Sequence, residues 1–248
     1  MIINKRNGEN YFDLIRMIDG KHITLEDQAS GIVIDRRYYA IRHDVDHDID
    51  HALAFARGEQ AEGIKATYFL LPTAPYFDYS ERFHDQLLEL QEMGHNIGYH
   101  TAAITEWING GKKAEIKDII MKPLEFLRET GRDIIGTSSH GDPSCHELNY
   151  VNFQVWQECR PPASYANPDG LVRLSLKDVG LEYETYFLKR HAYLSDSGGR
   201  WQGGCDNLDT HERNPVGDHV RDDVIKVFNE MEAGMFQLLV HPCWWEVR

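Results

Sequence analysis

Apolar and polar positions along this chain fall into two alternating periods. From Asn10 to Ile18 the apolar residues Phe12, Ile15 and Ile18 share one helical face, which predicts a short helix. Tyr38 to His43 has strand character. Asp48 to Glu62 predicts a helix, with Asp50 as its cap and Gly63 as its stop. Ala66 to Leu71 (ATYFLL) is rich in aromatic and branched residues and predicts a strand. Glu81 to Met93 predicts an amphipathic helix ended by Gly94. His95 to His100 predicts a short strand. Lys113 to Glu129 predicts a long helix ended by Gly131, with a kink at Pro123. Ile134 to Ser138 predicts a strand, and Pro161 to Gly204 an irregular stretch of short strands and loops. Asp218 to Ala233 predicts a helix ended by Gly234, and Met235 to Val240 a buried strand. Repeated strand–helix alternation implies an α/β fold with a parallel sheet or barrel.

Composition narrows this picture. A chain of 248 residues with 42% hydrophobic content suits one large-core domain over residues 1–248, with a short helical N-terminal extension over about 1–30. Five Trp, twelve Tyr and ten Phe exclude a disordered chain. The 26 basic and 40 acidic residues give a net charge of -14, and no basic stripe is visible. Nucleic acid and anionic membrane surfaces are therefore not expected partners. No apolar run reaches the length of a membrane span. The N-terminal segment lacks a signal-like apolar region, and the four cysteines form no CxxC pair. The expected location is the cytoplasm. Nothing in the pattern sets an oligomeric state.

In βα folds the chemistry collects where strands end. The first predicted strand runs into Arg42-His43-Asp44-Val45-Asp46. Asp44 and Asp46 share a face if the strand continues. Two such carboxylates repel unless a cation lies between them or one holds a proton. That suits a site where one binds a metal and the other acts as a base. His100, His140 and His241 each close another predicted strand. Zinc accepts carboxylate oxygen and imidazole nitrogen, so Asp46, His100 and one further His would make a site.

With these residues in place, the chain resembles the polysaccharide deacetylases of carbohydrate esterase family 4, the NodB homology domain. It is most similar to their cytoplasmic WbmS-type branch, encoded with surface-polysaccharide genes. The resemblance spans roughly Tyr38 to His241. It implies a distorted, incomplete (β/α) barrel. The first family motif maps onto Arg-His-Asp-Val-Asp, giving Asp44 as catalytic base and Asp46 as metal ligand. The second maps onto Gly-His-Asn-Ile-Gly-Tyr-His-Thr, giving His100 as ligand. Leu-Leu-Val-His gives His241 as general acid. Asp196-Ser-Gly-Gly-Arg-Trp201 matches the pocket-wall motif, with Asp196 holding His241 or a bridging Arg, and Trp201 and Arg200 facing substrate.

One family position departs. The second metal His of the motif is here Ile104, which cannot bind metal. His140 is the chosen replacement, with His43 and His47 as rivals that strand alternation points away. Arg42 and Arg200 are the stand-ins for a family Arg that orients the base. The implied activity is metal-dependent removal of an N-acyl group, acetyl above all, from an amino sugar in O-antigen or capsule (lipopolysaccharide) biosynthesis. The substrate would be nucleotide- or lipid-linked, and the cofactor a divalent metal, with zinc first. Two other readings stand beside it. One is a silent carbohydrate-binding barrel, favoured by Ile104. The other is an amidase acting on a non-sugar amide. Trp244 and Trp245 are expected to pack the core rather than face a sugar.

Overall fold

The computed structural model describes residues 1–160, 162–206, 213–215 and 219–248. Pro161 and Asp218, predicted bounds of two segments, lie outside the described residues. The strands of the main sheet are β1 (Lys21–His22), β2 (Arg37–Val45), β3 (Thr67–Leu70), β4 (Asn96–Thr101), β5 (Gly136–Ser139), β6 (Tyr183–Glu184), β7 (Ala192–Ser195), β8 (Gln202–Asp206), β9 (Arg213–Pro215) and β10 (Gly234–Val240). Their hydrogen-bonded order is β9-β8-β7-β10-β2-β3-β4-β5-β6, with β1 beside β2. The fold is α/β, and this strand order runs between two edges without closing, the incomplete form of a (β/α) barrel. By contact density the chain forms two compact units. One comprises Met1–Tyr68, Leu90–Asn96 and Lys189–Arg248, and the other Phe69–Glu89 and Ile97–Leu188.

In the first unit β10 lies parallel to β2, from Gly234 beside Arg37 to Val240 beside His43. It is also parallel to β7, from Phe236 beside Ala192 to Leu239 beside Ser195. Every residue of β10 is buried, which fits a parallel strand covered on both faces. Strand β2 is three residues longer than predicted and carries Asp44 within it. The helix Ile49–Ala61 follows. Its cap is Asp48 rather than Asp50: Asp48 Oδ1 accepts from the amides of Asp50 (2.9 Å) and His51 (3.3 Å). Asp50 sits two residues too late, already inside the first turn, and faces solvent. Gly63, at φ +72°, ends that helix in the left-handed turn its sequence predicts. The N-terminal helix Tyr11–Arg16 is capped by Asn10. It buries Tyr11, Leu14 and Ile15, shifted from the predicted face because Tyr11 enters the core and Phe12 does not. The N-terminal segment also holds a strand, Ile2–Asn4, paired antiparallel with Trp245–Val247.

A buried polar cluster organises this unit. Glu59 on the helix Ile49–Ala61 is fully buried. Its Oε1 accepts from the Tyr11 hydroxyl and lies 2.8 Å from His43 Nε2, while its Oε2 accepts from the Tyr68 hydroxyl at 2.7 Å. His43 Nδ1 lies 3.0 Å from the Val240 carbonyl. Both His43 ring nitrogens thus face oxygens. Nearby His95 accepts from the Ala66 amide through Nδ1 and donates to the Ala56 carbonyl through Nε2, so it is a neutral tautomer. Burial lowers its pKa in the same sense.

In the second unit β4 and β5 are parallel, with His100 beside Ser138, and β5 and β6 are parallel, with Thr137 beside Glu184. A Cβ on Gly98 would stand 2.3 Å from the Phe69 ring, so only glycine fits there. The predicted helix over 113–129 is the shorter Ile116–Arg128, with Pro123 inside it. Ahead of it lies an unpredicted helix, Ala103–Asn109. Ala102 at its start has no capping side chain. Asn152 serves instead: its Oδ1 accepts from the amides of Ile104 (3.0 Å) and Thr105 (3.2 Å). Its Nδ2 donates to Thr105 Oγ1 and to the His140 carbonyl.

Burial alone would raise the Glu59 carboxyl. The opposing pull of His43 and the Tyr11 hydroxyl reverses that and holds it below its ordinary 4.5. A depressed carboxyl adds stability above its unfolded pKa, and this is lost as pH falls through the folded value. Glu59→Gln should therefore cost about 3–5 kcal/mol in urea unfolding at pH 7, with the deficit narrowing below pH 4.5. A midpoint unchanged at pH 7 would contradict this role.

Candidate active site

The ends of three parallel strands come into register in the first unit. Val240 lies beside His43 and Leu239 beside Ser195. The next residues in line are therefore His241, Asp44 and Asp196. Alternation along β2 sends His43 to one face, toward Glu59, and Arg42 and Asp44 to the other.

Asp196 and His241 form the tightest polar pair in this group. His241 Nδ1 donates to Asp196 Oδ1 at 2.6 Å, and the His241 amide donates to the same oxygen at 2.9 Å. The other carboxylate oxygen, Oδ2, accepts from Trp245 Nε1 at 2.8 Å. Three N–H groups thus fix this buried carboxylate, and the carboxylate fixes the ring. Its Nε2 edge then lies 3.9 Å from Asp46 Oδ2. Burial disfavours the His241 imidazolium. The Asp196 hydrogen bond and the charges of Asp196, Asp44 and Asp46 outweigh it and push the pKa up to about 9.

Asp44 is buried, and Arg42 Nη2 donates to its Oδ2 at 3.3 Å. Asp46 follows the strand and is partly exposed. His47 is exposed, while His43 is committed to Glu59 and Val240.

Trp201 is half-buried. It donates to Glu9 Oε2 at 3.1 Å and packs edge to face on Trp245, with ring centroids 6.2 Å apart. Trp245 is fully buried, and Arg6 lies over the Trp244 ring. Arg200 is exposed.

The second unit carries the two remaining histidines. His100, buried near the end of β4, donates through Nδ1 to the Ser138 carbonyl at 2.9 Å. That bond fixes Nε2 as its lone-pair nitrogen. His140 follows β5 directly, and its ring meets the His100 ring edge to face at 5.2 Å. Its Nδ1 lies 3.7 Å from Asp142 Oδ2, and its carbonyl is held by Asn152. Ile104 is fully buried, with its amide bonded to Asn152. His100 and His140 each offer an imidazole nitrogen, a donor type that a divalent metal ion accepts.

Sequence reasoning missed four residues that hold these groups: Glu59, Trp245 as a hydrogen-bond donor, Asn152, and Glu184, whose Oε1 accepts from the Ser139 amide at 3.0 Å. Each acts on a partner far away in the chain, so no local spacing announces it.

No protein-family model and no curated protein matches the chain. Among solved structures it is similar to a CE4 esterase from Streptococcus mutans, at 11% identity and TM-score 0.45, over 88% of this chain and 77% of that one. It is also similar to the polysaccharide deacetylase Bc1974 from Bacillus cereus, at 13% identity and TM-score 0.44, over 84% of this chain and 80% of that one. A third is the catalytic domain of peptidoglycan N-acetylglucosamine deacetylase from Eubacterium rectale, at 12% identity and TM-score 0.42, over 86% and 82% of the two chains. Among the described residues, no helix is long and apolar enough to cross a membrane.

The raised His241 value depends on Asp196. In Asp196→Asn, NMR titration of the metal-free protein should move the ring from about 9 to 6.5 or below. A folded-state imidazole pKa above its unfolded value stabilises the fold below pH 6.5, and this is lost as pH rises through about 9. The stability deficit of Asp196→Asn should therefore be largest in mild acid and fade above pH 9. A ring still titrating near 9 in the variant would refute this account.

Proposed function

We propose that this chain is a divalent-metal hydrolase that removes the N-acetyl group of an amino sugar, working as one catalytic domain over residues 1–248. The reading rests above all on the buried Asp196–His241 pair, aligned at strand ends with Asp44 and with Asp46 close by. Amide hydrolysis needs a base to activate water and an acid to protonate the departing amine. A lone carboxylate cannot do both at one moment. Here Asp44 is the base, and His241, kept protonated by Asp196, is the acid.

Asp46, His100 and His140 are the proposed ligands, with zinc the first choice of ion. Their donor set fits: one carboxylate oxygen and two imidazole nitrogens. His100 Nδ1 is already engaged by the Ser138 carbonyl, which leaves Nε2 as its ligand nitrogen. A bound divalent ion supplies Lewis-acid polarisation of the amide carbonyl and acidifies water.

The chain's own residues then divide the proton work. Asp44, oriented by Arg42, takes a proton from water as the new C–O bond forms. His241 Nε2 gives its proton to the amide nitrogen as the C–N bond breaks. The products are acetate and the free amino sugar. Asp196 holds the ring by Nδ1, so Nε2 is the edge that delivers the proton. Trp201 and Arg200 are proposed on the substrate side of the pocket wall. The resemblance to deacetylases encoded with surface-polysaccharide genes supports a cytoplasmic step on a nucleotide- or lipid-linked precursor of O-antigen or capsule.

The zinc-loaded protein should release acetate from a panel of N-acetyl amino sugars, and simple amides should be poor substrates. Asp44→Asn should keep zinc, measured by elemental analysis, and lose about 10²–10⁴-fold in turnover. His100→Ala and His140→Ala should lose zinc and turnover together. If His140→Ala binds zinc as tightly as the native chain, the ligand assignment is wrong. If no acetate is released from any sugar while zinc is bound, the deacetylase reading fails.

A further inference from the structure

Two short turns leave the Asp196–His241 pair, and the N-terminal segment lies across both. Asp196 is followed by the 3-10 turn Ser197–Gly199, in which the Gly199 amide donates to the Asp196 carbonyl at 2.8 Å. His241 is followed by the 3-10 turn Pro242–Trp244, in which the Trp244 amide donates to the His241 carbonyl at 3.1 Å. Past the strand Ile2–Asn4 the chain turns at Lys5. The Lys5 amide donates to the Trp244 carbonyl at 2.9 Å, and Lys5 Nζ donates to the Cys243 carbonyl at 2.7 Å. The Arg6 guanidinium lies over the half-buried Trp244 ring, 5.5 Å from its centroid. It also meets the other turn. A Cβ on Gly199 would stand 2.8 Å from Arg6 Cζ, and the Gly199 φ of +69° is one that glycine adopts freely. All these residues belong to the first compact unit.

The charge here is unusual for the chain. Arg6 is exposed, and among the described residues its guanidinium has no carboxylate partner. The nearby carboxylates are already engaged: Glu9 by Trp201 Nε1 and Arg221, and Glu246 by Arg248. Arg200 directly follows Gly199 and is also exposed. Lys5, Arg6 and Arg200 thus gather positive charge on a chain of net charge -14. The Cys243 thiol lies between them and the site. Burial pushes its pKa up to about 12, with Asp46 and Asp196 acting in the same sense and Lys5 against. The Lys5 ammonium and the site carboxylates therefore act on one side chain.

We infer that Arg6, held on Trp244 with Lys5 and Arg200 at its sides, binds a phosphate group carried by the amino-sugar substrate. This rests on the deacetylase reading and deepens it. A guanidinium lying by its face on an indole keeps its N–H edge for planar, bidentate recognition of phosphate. Asp44, Asp46 and Asp196 make the strand ends acidic, and that field repels an anionic substrate. A neutral sugar needs no cation beside them, and a phosphorylated one does. Nucleotide and polyprenyl carriers both present that phosphate, so one subsite chemistry serves either.

The test is a binding titration of the full zinc-loaded chain with N-acetylglucosamine, its 1-phosphate, and its uridine-diphosphate and farnesyl-diphosphate esters. The native chain should bind the 1-phosphate about tenfold more tightly than the neutral sugar, and the advantage should shrink in high salt. Arg6→Ala should lose most of that advantage. Arg6→Lys should recover part of it, since the charge returns without the planar fork. Arg6 lies on an exposed turn, so both variants should keep the native urea midpoint, which separates lost binding from lost folding. An equal gain for the two diphosphates supports recognition of the phosphate alone, and a larger gain for one supports it and identifies the carrier. An advantage unchanged in Arg6→Ala would overturn the inference, because the phosphate would then be held by the zinc or by other residues. So would a native chain that binds the neutral sugar as tightly as its phosphate. Acetate release is read separately. Arg6-dependent phosphate binding without acetate release would uphold the subsite while the hydrolase reading falls. Acetate release from the neutral sugar with no Arg6-dependent preference would do the reverse.

Discussion

A carboxylate sealed in a hydrophobic interior is the constraint on which the first unit depends. Taking Glu59 out of water costs several kcal/mol unless every lone pair it exposes is met. Tyr11, His43 and Tyr68 meet them. These partners come from the N-terminal helix and strands β2 and β3, so one buried charge holds three elements to the helix Ile49–Ala61. None of those partners can be removed without stranding another polar group. Such a cluster does more to specify one arrangement than to add net stability.

The same cluster reaches the candidate site through backbone. His43 holds the Val240 carbonyl, and the next residue is His241. On β2 the residue after His43 is Asp44. Strand alternation therefore places a structural histidine and a candidate base back to back on adjacent positions. One face of the strand end is locked by buried charge, while the other carries Asp44 and its Arg42 partner. Asp196 repeats this economy just past β7, since its carboxylate holds both the amide and the ring of His241. The proton inventory of the proposed reaction is thus set by residues on, or directly after, adjacent parallel strands.

Much of this was legible in the sequence because it is periodic. The strand–helix alternation and the polar residues at strand ends depend on local order, and they pointed to Asp44, Asp46, His100, His140 and His241. What escaped was satisfied at a distance. The helix Ala103–Asn109 was missed because its cap comes from Asn152, well over a turn away in sequence, and Ala102 gives no capping signal. Glu59 resembles any helix-surface glutamate until Tyr11 and Tyr68 are seen to cover it. Asp48 and Asp50 are equivalent in composition, and only the start of the helix decides which one caps it.

Ile104 sits at the start of a helix whose first amides are met from a distant part of the chain. At a helix N-terminus the first amides need acceptors. Asn152 supplies one oxygen to the amides of Ile104 and Thr105 and uses its nitrogen to hold the His140 carbonyl. The Ile104 side chain meanwhile fills core space that an imidazole would enter only with a polar partner. The helix start that would carry a histidine in the resembled family is here bonded to the segment carrying His140. Asn152 bonds to the His140 carbonyl and Glu184 to the Ser139 amide, so two side chains hold the segment that carries His140.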